Sequence, residues 1–195
     1  MTMILKDPQA TFIHIPKTGG SSINAWLSDN AKGEFYHDST HINRPGMSRH
    51  LTYQQVAQLS IEDNRDMGFT FTVVRNPWDR CVSSYFHWRR LQTAKGITDP
   101  LSFEQYIQMP PLGKAFAQPQ VSFVGDCDYV MEFDTLNEDF KLIKKMFKKK
   151  KKLPHINAEK NRDHYSTYYG ETSRRTVAER YGEDIDFFEY TFKSK

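Results

Sequence analysis

The sequence predicts a single α/β domain, residues 1–195, with a central, mostly parallel sheet flanked by helices. Three observations lead there. Short β-branched and aromatic runs recur along the chain, each is followed by a stretch with helical spacing, and no Pro/Gly/Ser-rich linker or internal repeat divides them. The length of 195 residues is that of one ordinary domain, enough to bury roughly two thirds of the surface that the unfolded chain exposes. A hydrophobic fraction of 38% and an aromatic fraction of 14% exclude a disordered chain.

In order, the run Thr11 to Ile15 reads as a buried strand that stops at Pro16 and a glycine pair. A helix is expected over Ser21 to Ser28 and a short strand over Glu34 to His37. Thr52 is placed to cap a helix running to Leu59. Phe69 to Val74 is the clearest strand, and Arg75-Asn76-Pro77 breaks it. Asp79 then has the chemistry of a cap for a long helix through Arg89. Tyr129 to Phe133 reads as a later strand, followed by a helix over Asn137 to Lys149. Ligands of open α/β sheets bind beyond the C-terminal ends of the strands, and loops 16–22 and 75–83 stand at such ends.

The net charge of +3 is local in origin. Lys144, Lys145 and Lys148 to Lys152 outweigh it alone, so the rest of the chain is acidic on balance. A lysine run closing an amphipathic helix suits the negative end of the helix and reads as solvated. No aromatic residue interrupts Lys148 to Lys152, so no nucleic-acid partner is expected. The stretch MTMILKDPQATFIHI lacks the apolar length of a signal peptide or membrane span, and a cytoplasmic protein is the expectation. Cys81 and Cys127 have neither disulfide-framework nor zinc spacing and read as small buried residues.

Two loops carry the chemistry. FIHIPKTGGSSI, Phe12 to Ile23, sets Lys17, Thr18, Gly19, Gly20, Ser21 and Ser22 between a strand and a helix. Paired glycines allow backbone N–H groups close to an anion, and the new helix turns its unsatisfied N–H groups and positive dipole end toward it. The hydroxyls add donors and Lys17 adds charge. The lysine precedes the glycines, so this is not the GxxxxGK[ST] phosphate loop. FTVVRNPWDRCVSSYFH, Phe71 to His87, places Arg75 at a strand end and Ser83 on the following helix, a planar fork and a hydroxyl that suit one phosphate. Arg80 and Tyr85 follow in the same segment, Arg80 as a ligand contact or as a surface or ion-pair arginine and Tyr85 as a ligand contact or a core residue.

Together these motifs resemble those of sulfotransferase family 2, which includes carbohydrate O-sulfotransferases. The first is similar to the family's PK[TS]-small-[ST][ST] loop and the second to its RxPxxRxxSxY motif. The resemblance implies a P-loop NTPase-like sulfotransferase fold and 3′-phosphoadenosine-5′-phosphosulfate as donor co-substrate. It also implies a carbohydrate or other hydroxyl acceptor and no required metal. By it, Lys17 contacts the sulfuryl group, residues 18 to 22 hold the 5′-phosphate, and Arg75 with Ser83 holds the 3′-phosphate.

A hydroxyl acceptor must give up its proton as the new bond forms, so a base is expected. His50, in HLTYQQ, resembles the family's GHxxY-type segment, although Arg49 replaces the glycine, and His41 is its rival. His14 reads as a packed strand residue. The segment LPHINAEKN, Leu153 to Asn161, resembles the family's region near the adenine and 3′-phosphate, which makes Lys160 or Arg162 an accessory cation or a solvated loop residue. The competing readings are an ATP-dependent kinase and a non-catalytic nucleotide-binding module. A kinase wants an acidic residue at a strand end to help hold magnesium, whereas here the strand ends in Arg75-Asn76-Pro77.

Replacing Lys148 to Lys152 by glutamine is expected to leave turnover within about two-fold of the parent, as for a solvated face. Steady-state kinetics on the five-fold variant checks this, and a large loss would give the run a functional role.

Overall fold

A computed structural model of the chain describes residues 1–35, 50–111, 114–156 and 162–195. Strands β1 (Met3–Asp7) and β2 (Gln9–Ile13) are followed by helix α1 (Gly20–Asn30), β3 (Lys32–Phe35), α2 (Tyr53–Glu62) and β4 (Phe69–Val74). Helix α3 (Pro77–Ala94) precedes three short helices, α4 (Phe103–Gln108), α5 (Lys114–Ala117) and α6 (Val121–Val124). β5 (Tyr129–Glu132) and α7 (Leu136–Met146) then lead, through a 3-10 turn at Tyr165–Tyr168, to α8 (Glu171–Arg180) and α9 (Gly182–Phe187). These elements form two compact units, Met1–Val74 with Gln120–Asn157 and Arg75–Pro119 with Ala158–Lys195.

The first unit holds the sheet, in the order β3-β1-β2-β4-β5. β2, β4 and β5 run parallel, as the alternation of strands and helices predicts. The β3-β1-β2 half is antiparallel, so the sheet is mixed rather than mostly parallel. The difference comes from β1, where MILKD pairs with β2 across the tight turn at Asp7-Pro8. A two-strand antiparallel pair needs no crossover helix, and without one the alternation pattern has nothing to register.

The central strands are buried along almost their whole length, which explains their unbroken apolar and β-branched runs. Phe12, Phe71, Val73 and Met131 pack with Trp26 and Leu27 of α1 and with Phe140 and Ile143 of α7. Trp26 stands edge-on to Phe140 and Phe147, at 5.0 and 5.9 Å between ring centroids, and its indole N–H reaches the carbonyl of Lys151 at 2.9 Å. The backbone of the lysine run is thereby tied to the core while Lys148 to Lys152 remain exposed.

Polar groups help fix the strand register. The Thr72 hydroxyl of β4 donates to the carbonyl of Ile13 in β2 at 2.7 Å. Asp128, just before β5, accepts from both the backbone N–H and the hydroxyl of Thr70 at 2.8 Å. Those donors, the backbone N–H foremost, hold the Asp128 carboxyl below its ordinary range.

The second unit is built around α3. Asn76 caps it by accepting from the Trp78 N–H at 3.1 Å, and Pro77 opens its first turn. Asp79 is therefore a first-turn residue and not the cap. Val82, Tyr85 and Trp88 pack against Phe103 and Tyr106 of α4 and, with Phe116, Val177 and Tyr181, complete a second core. Inside it lies Arg80, 1% exposed, with its guanidinium over the Phe116 ring at 4.6 Å and facing the Asp184 carboxylate at 4.0 Å. Among the described residues no helix is long and apolar enough to cross a membrane.

Asp128→Asn is expected to lower the stability of the first unit modestly, since the carboxylate is exposed and screened. The sign follows from the depressed pKa: the contribution is present above the unfolded carboxyl value and is lost as pH falls through the lower folded one. Urea denaturation of parent and variant should show a gap at neutral pH that closes in acid.

Candidate functional site

The first loop leaves β2 at Ile13 and re-enters regular structure at Gly20. Two residues in it adopt left-handed backbone, Lys17 with φ 69° and Gly19 with φ 88°. Glycine takes that conformation at little cost, whereas a lysine held there marks a loop forced into shape by its surroundings. Gly19 is the N-cap of α1, and no side chain caps the helix. No cap side chain serves the first-turn N–H groups, of which that of Ser22 donates to the Gly19 carbonyl at 3.0 Å, and no acidic residue occupies that turn. An anion fits this end of the helix.

The hydroxyls of the loop divide by role. Thr18 is fully buried and donates to the Ile15 carbonyl at 3.0 Å, bracing the loop from inside. The Ser22 oxygen accepts from the Ile156 N–H at 3.1 Å, and Ser21 is exposed. Lys17 is half-buried.

Beneath the loop sits His14. It is 7% exposed, its ring stacks on Phe12 at 5.7 Å, and a Cβ added to Gly20 would run into it. Burial, then the Met1 ammonium, His50 and Lys17, push its pKa well down, so the imidazole is neutral. His50 meets it edge-on with centroids 4.7 Å apart, and the His50 Nδ1 lies 3.0 Å from the His14 carbonyl. A carbonyl only accepts, so Nδ1 carries the proton and the basic lone pair of a neutral His50 is on Nε2. The residues after it are held by the capping box of α2, in which the Thr52 hydroxyl accepts from the Gln55 N–H at 3.2 Å and the Gln55 side chain accepts from the Thr52 N–H at 2.9 Å. His41, the rival base, lies outside the described residues, as does Lys160.

The second loop begins where β4 ends. Arg75 is 6% exposed and donates from Nε to the Asp79 carboxylate at 2.6 Å. The other oxygen of Asp79 receives Arg162. Ser83 stands on α3 one turn beyond Asp79 and is half-buried. Arg80 and Tyr85 take the structural alternatives open to them: Arg80 is buried against Asp184, and the Tyr85 hydroxyl donates to the Leu101 carbonyl at 3.0 Å. Both cysteines are free thiols, and burial pushes each up to about 12.

Sequence reasoning missed two features. Asp79 is the partner of two arginines, a role for which the i, i+4 spacing from Arg75 was the available signal. Arg162 is part of an ion-pair cluster and not a solvated loop cation, and no spacing in the sequence announces a contact that spans 83 positions.

A model of the sulfotransferase family matches residues 1–191. Among solved structures, a sulfotransferase from Alicyclobacillus acidocaldarius is similar, with a TM-score of 0.54 and 16% identity over 91% of this chain and 93% of that chain. At that identity the likeness is one of fold. No curated protein matches.

Gly20→Ala is expected to destabilise the first unit by about 1–3 kcal/mol, because the new methyl must displace the His14 ring from a packed site. Gly182→Ala, where an added Cβ meets nothing within 4 Å, should be neutral or slightly stabilising. Thermal melting of the two variants side by side checks the contrast.

Proposed function

The chain belongs to the sulfotransferase family, and from that premise we propose that it moves a sulfuryl group from 3′-phosphoadenosine-5′-phosphosulfate to an acceptor hydroxyl, working as one sulfotransferase domain. The carrying observation is the first loop: an α1 N-terminus capped by Gly19 alone, with Lys17 held in left-handed backbone three residues before the helix. The chemistry of the donor set fits the 5′ end of such a nucleotide. Backbone N–H groups of residues 18 to 22 and the Ser21 and Ser22 hydroxyls take the 5′-phosphate, and Lys17 takes the sulfuryl end. Thr18 serves through its backbone, since its hydroxyl is spent on Ile15. Arg75 and Ser83 take the 3′-phosphate.

His50 acts as the base. As the acceptor oxygen bonds to sulfur, Nε2 of His50 removes its proton, and the bond between sulfur and the bridging oxygen of the donor breaks. The ammonium of Lys17 balances the negative charge that gathers on that bridging oxygen, a fixed charge that need not reorganise during transfer. The neutral state of His14 supports this role for its neighbour, because an imidazolium packed against His50 would oppose its protonation. A carbohydrate hydroxyl is the acceptor class that the resemblance of the motifs favours, and no metal takes part in the step.

Calorimetry with adenosine 3′,5′-bisphosphate should show binding, and turnover should survive a chelator. His50→Ala should keep nucleotide affinity within about two-fold and lose roughly 10²- to 10⁴-fold in turnover. Tight ATP binding with chelator-sensitive turnover would install the kinase instead. Nucleotide binding without transfer to any acceptor hydroxyl would leave a binding module.

A further inference from the structure

Positive charge gathers where helix α7 ends. The acidic residues of the helix, Glu138 and Asp139, are in its first turn, and Lys144 and Lys145 stand in its last. The negative helix end suits those two lysines, but its influence fades within a turn. Lys148 to Lys152 lie beyond it, and all five are exposed. Lys148 has left-handed backbone, with φ 51°. Its N–H donates to the Lys145 carbonyl at 3.0 Å, and the N–H of Lys149 donates to the Lys144 carbonyl at 2.9 Å. That pair of bonds is a Schellman motif, in which glycine is the favoured residue at the position Lys148 holds. The turn thus forgoes the residue that fits it best and carries a charge instead.

The run is fastened to the first unit. Phe147 before it is buried edge-on to Trp26, the Lys151 carbonyl accepts from the Trp26 indole, and the Ile156 N–H donates to the Ser22 hydroxyl. Within Lys148 to Lys152, the ion pair formed among the described residues is that of Lys151 with Asp29, at 2.7 Å. Two exposed apolar side chains border the charge. Leu142, 46% exposed, precedes Lys145 by three residues on the outer face of α7, and Ile156 is 41% exposed. The rest of the chain is acidic on balance, so an anionic surface draws the protein in with this end foremost. Composition selects among anionic partners. Lys148 to Lys152 include no arginine and no aromatic ring, the groups that grip and stack on nucleic acids. Lysine ammoniums act as point charges in a diffuse field, such as that of an anionic headgroup layer, where exposed leucine and isoleucine enter the acyl boundary.

We propose that Lys145 and Lys148 to Lys152, bordered by Leu142 and Ile156, form a surface that docks the first unit reversibly on a bilayer of anionic phospholipid. The role is placement of the protein, separate from the transfer step in free solution.

Cosedimentation of the full chain with vesicles at physiological salt tests it, with circular dichroism as the check of fold. The parent should bind vesicles of phosphatidylcholine mixed with phosphatidylserine and not those of phosphatidylcholine alone, and added salt should release it. Replacing Lys148 to Lys152 by glutamine should weaken binding roughly 100-fold or more. Leu142→Ser, which leaves the charge unchanged, should weaken it about three-fold or more. Lys148→Gly should weaken vesicle binding and yet raise the melting temperature, because glycine suits the turn. A parent that ignores phosphatidylserine, or a glutamine variant that binds as the parent does, overturns the proposal. Single-stranded DNA bound as tightly as the vesicles, with Leu142→Ser inert toward both, also overturns it and assigns the run to a polymer.

Discussion

The parallel pairing of β2 with β4 is the constraint on which the rest depends. Ala10 through Ile13 lie beside Phe69 through Thr72 in the same direction, so both strands end at one edge of the sheet. There the chain enters the glycine loop from β2, and there Arg75 follows directly on β4. The register is set by polar groups as well as by packing: Thr72 ties β4 to the last carbonyl of β2, and Thr70 ties it to Asp128 at the start of β5. A slip of one residue would turn buried side chains to the opposite face of each strand and break both hydrogen-bonded ties.

Among the described residues, buried titratable groups are set against partners or held neutral. In the first unit, His14 is kept uncharged between Phe12 and Gly20 and lends its carbonyl to orient His50. In the second, Arg80 is stacked on Phe116 and faces Asp184, while Arg75 and Arg162 share Asp79. The two arrangements in the second unit differ in kind. Arg80 belongs to a packed aromatic core, whereas Arg75 and Arg162 meet at the carboxylate of Asp79.

The strands and loops legible in the sequence were those whose signal is local. Phe69 to Val74 is a strand over the predicted range because a strand buried on both faces is built of apolar and β-branched residues throughout. Helix α2 begins after Thr52 because a capping box is a local pattern of four residues, Thr52 to Gln55. β1 escaped because its five residues form an antiparallel hairpin arm, with no crossover to mark it. Asp79 was read as a cap because carboxylates favour helix starts, but Asn76 had already taken that position.

Residue order alone determined the glycine loop, the arginine at the end of β4 and the family to which both point, because close anion approach and abrupt strand exit require particular residues at adjacent positions. Tertiary structure alone decided that the Thr18 hydroxyl faces inward, that His50 Nδ1 meets the His14 carbonyl, and that Arg162 joins Arg75 at Asp79 across 83 positions of chain. Hydrogen-bond direction and charge pairing depend on distances between groups far apart in sequence, and only the folded chain fixes those distances.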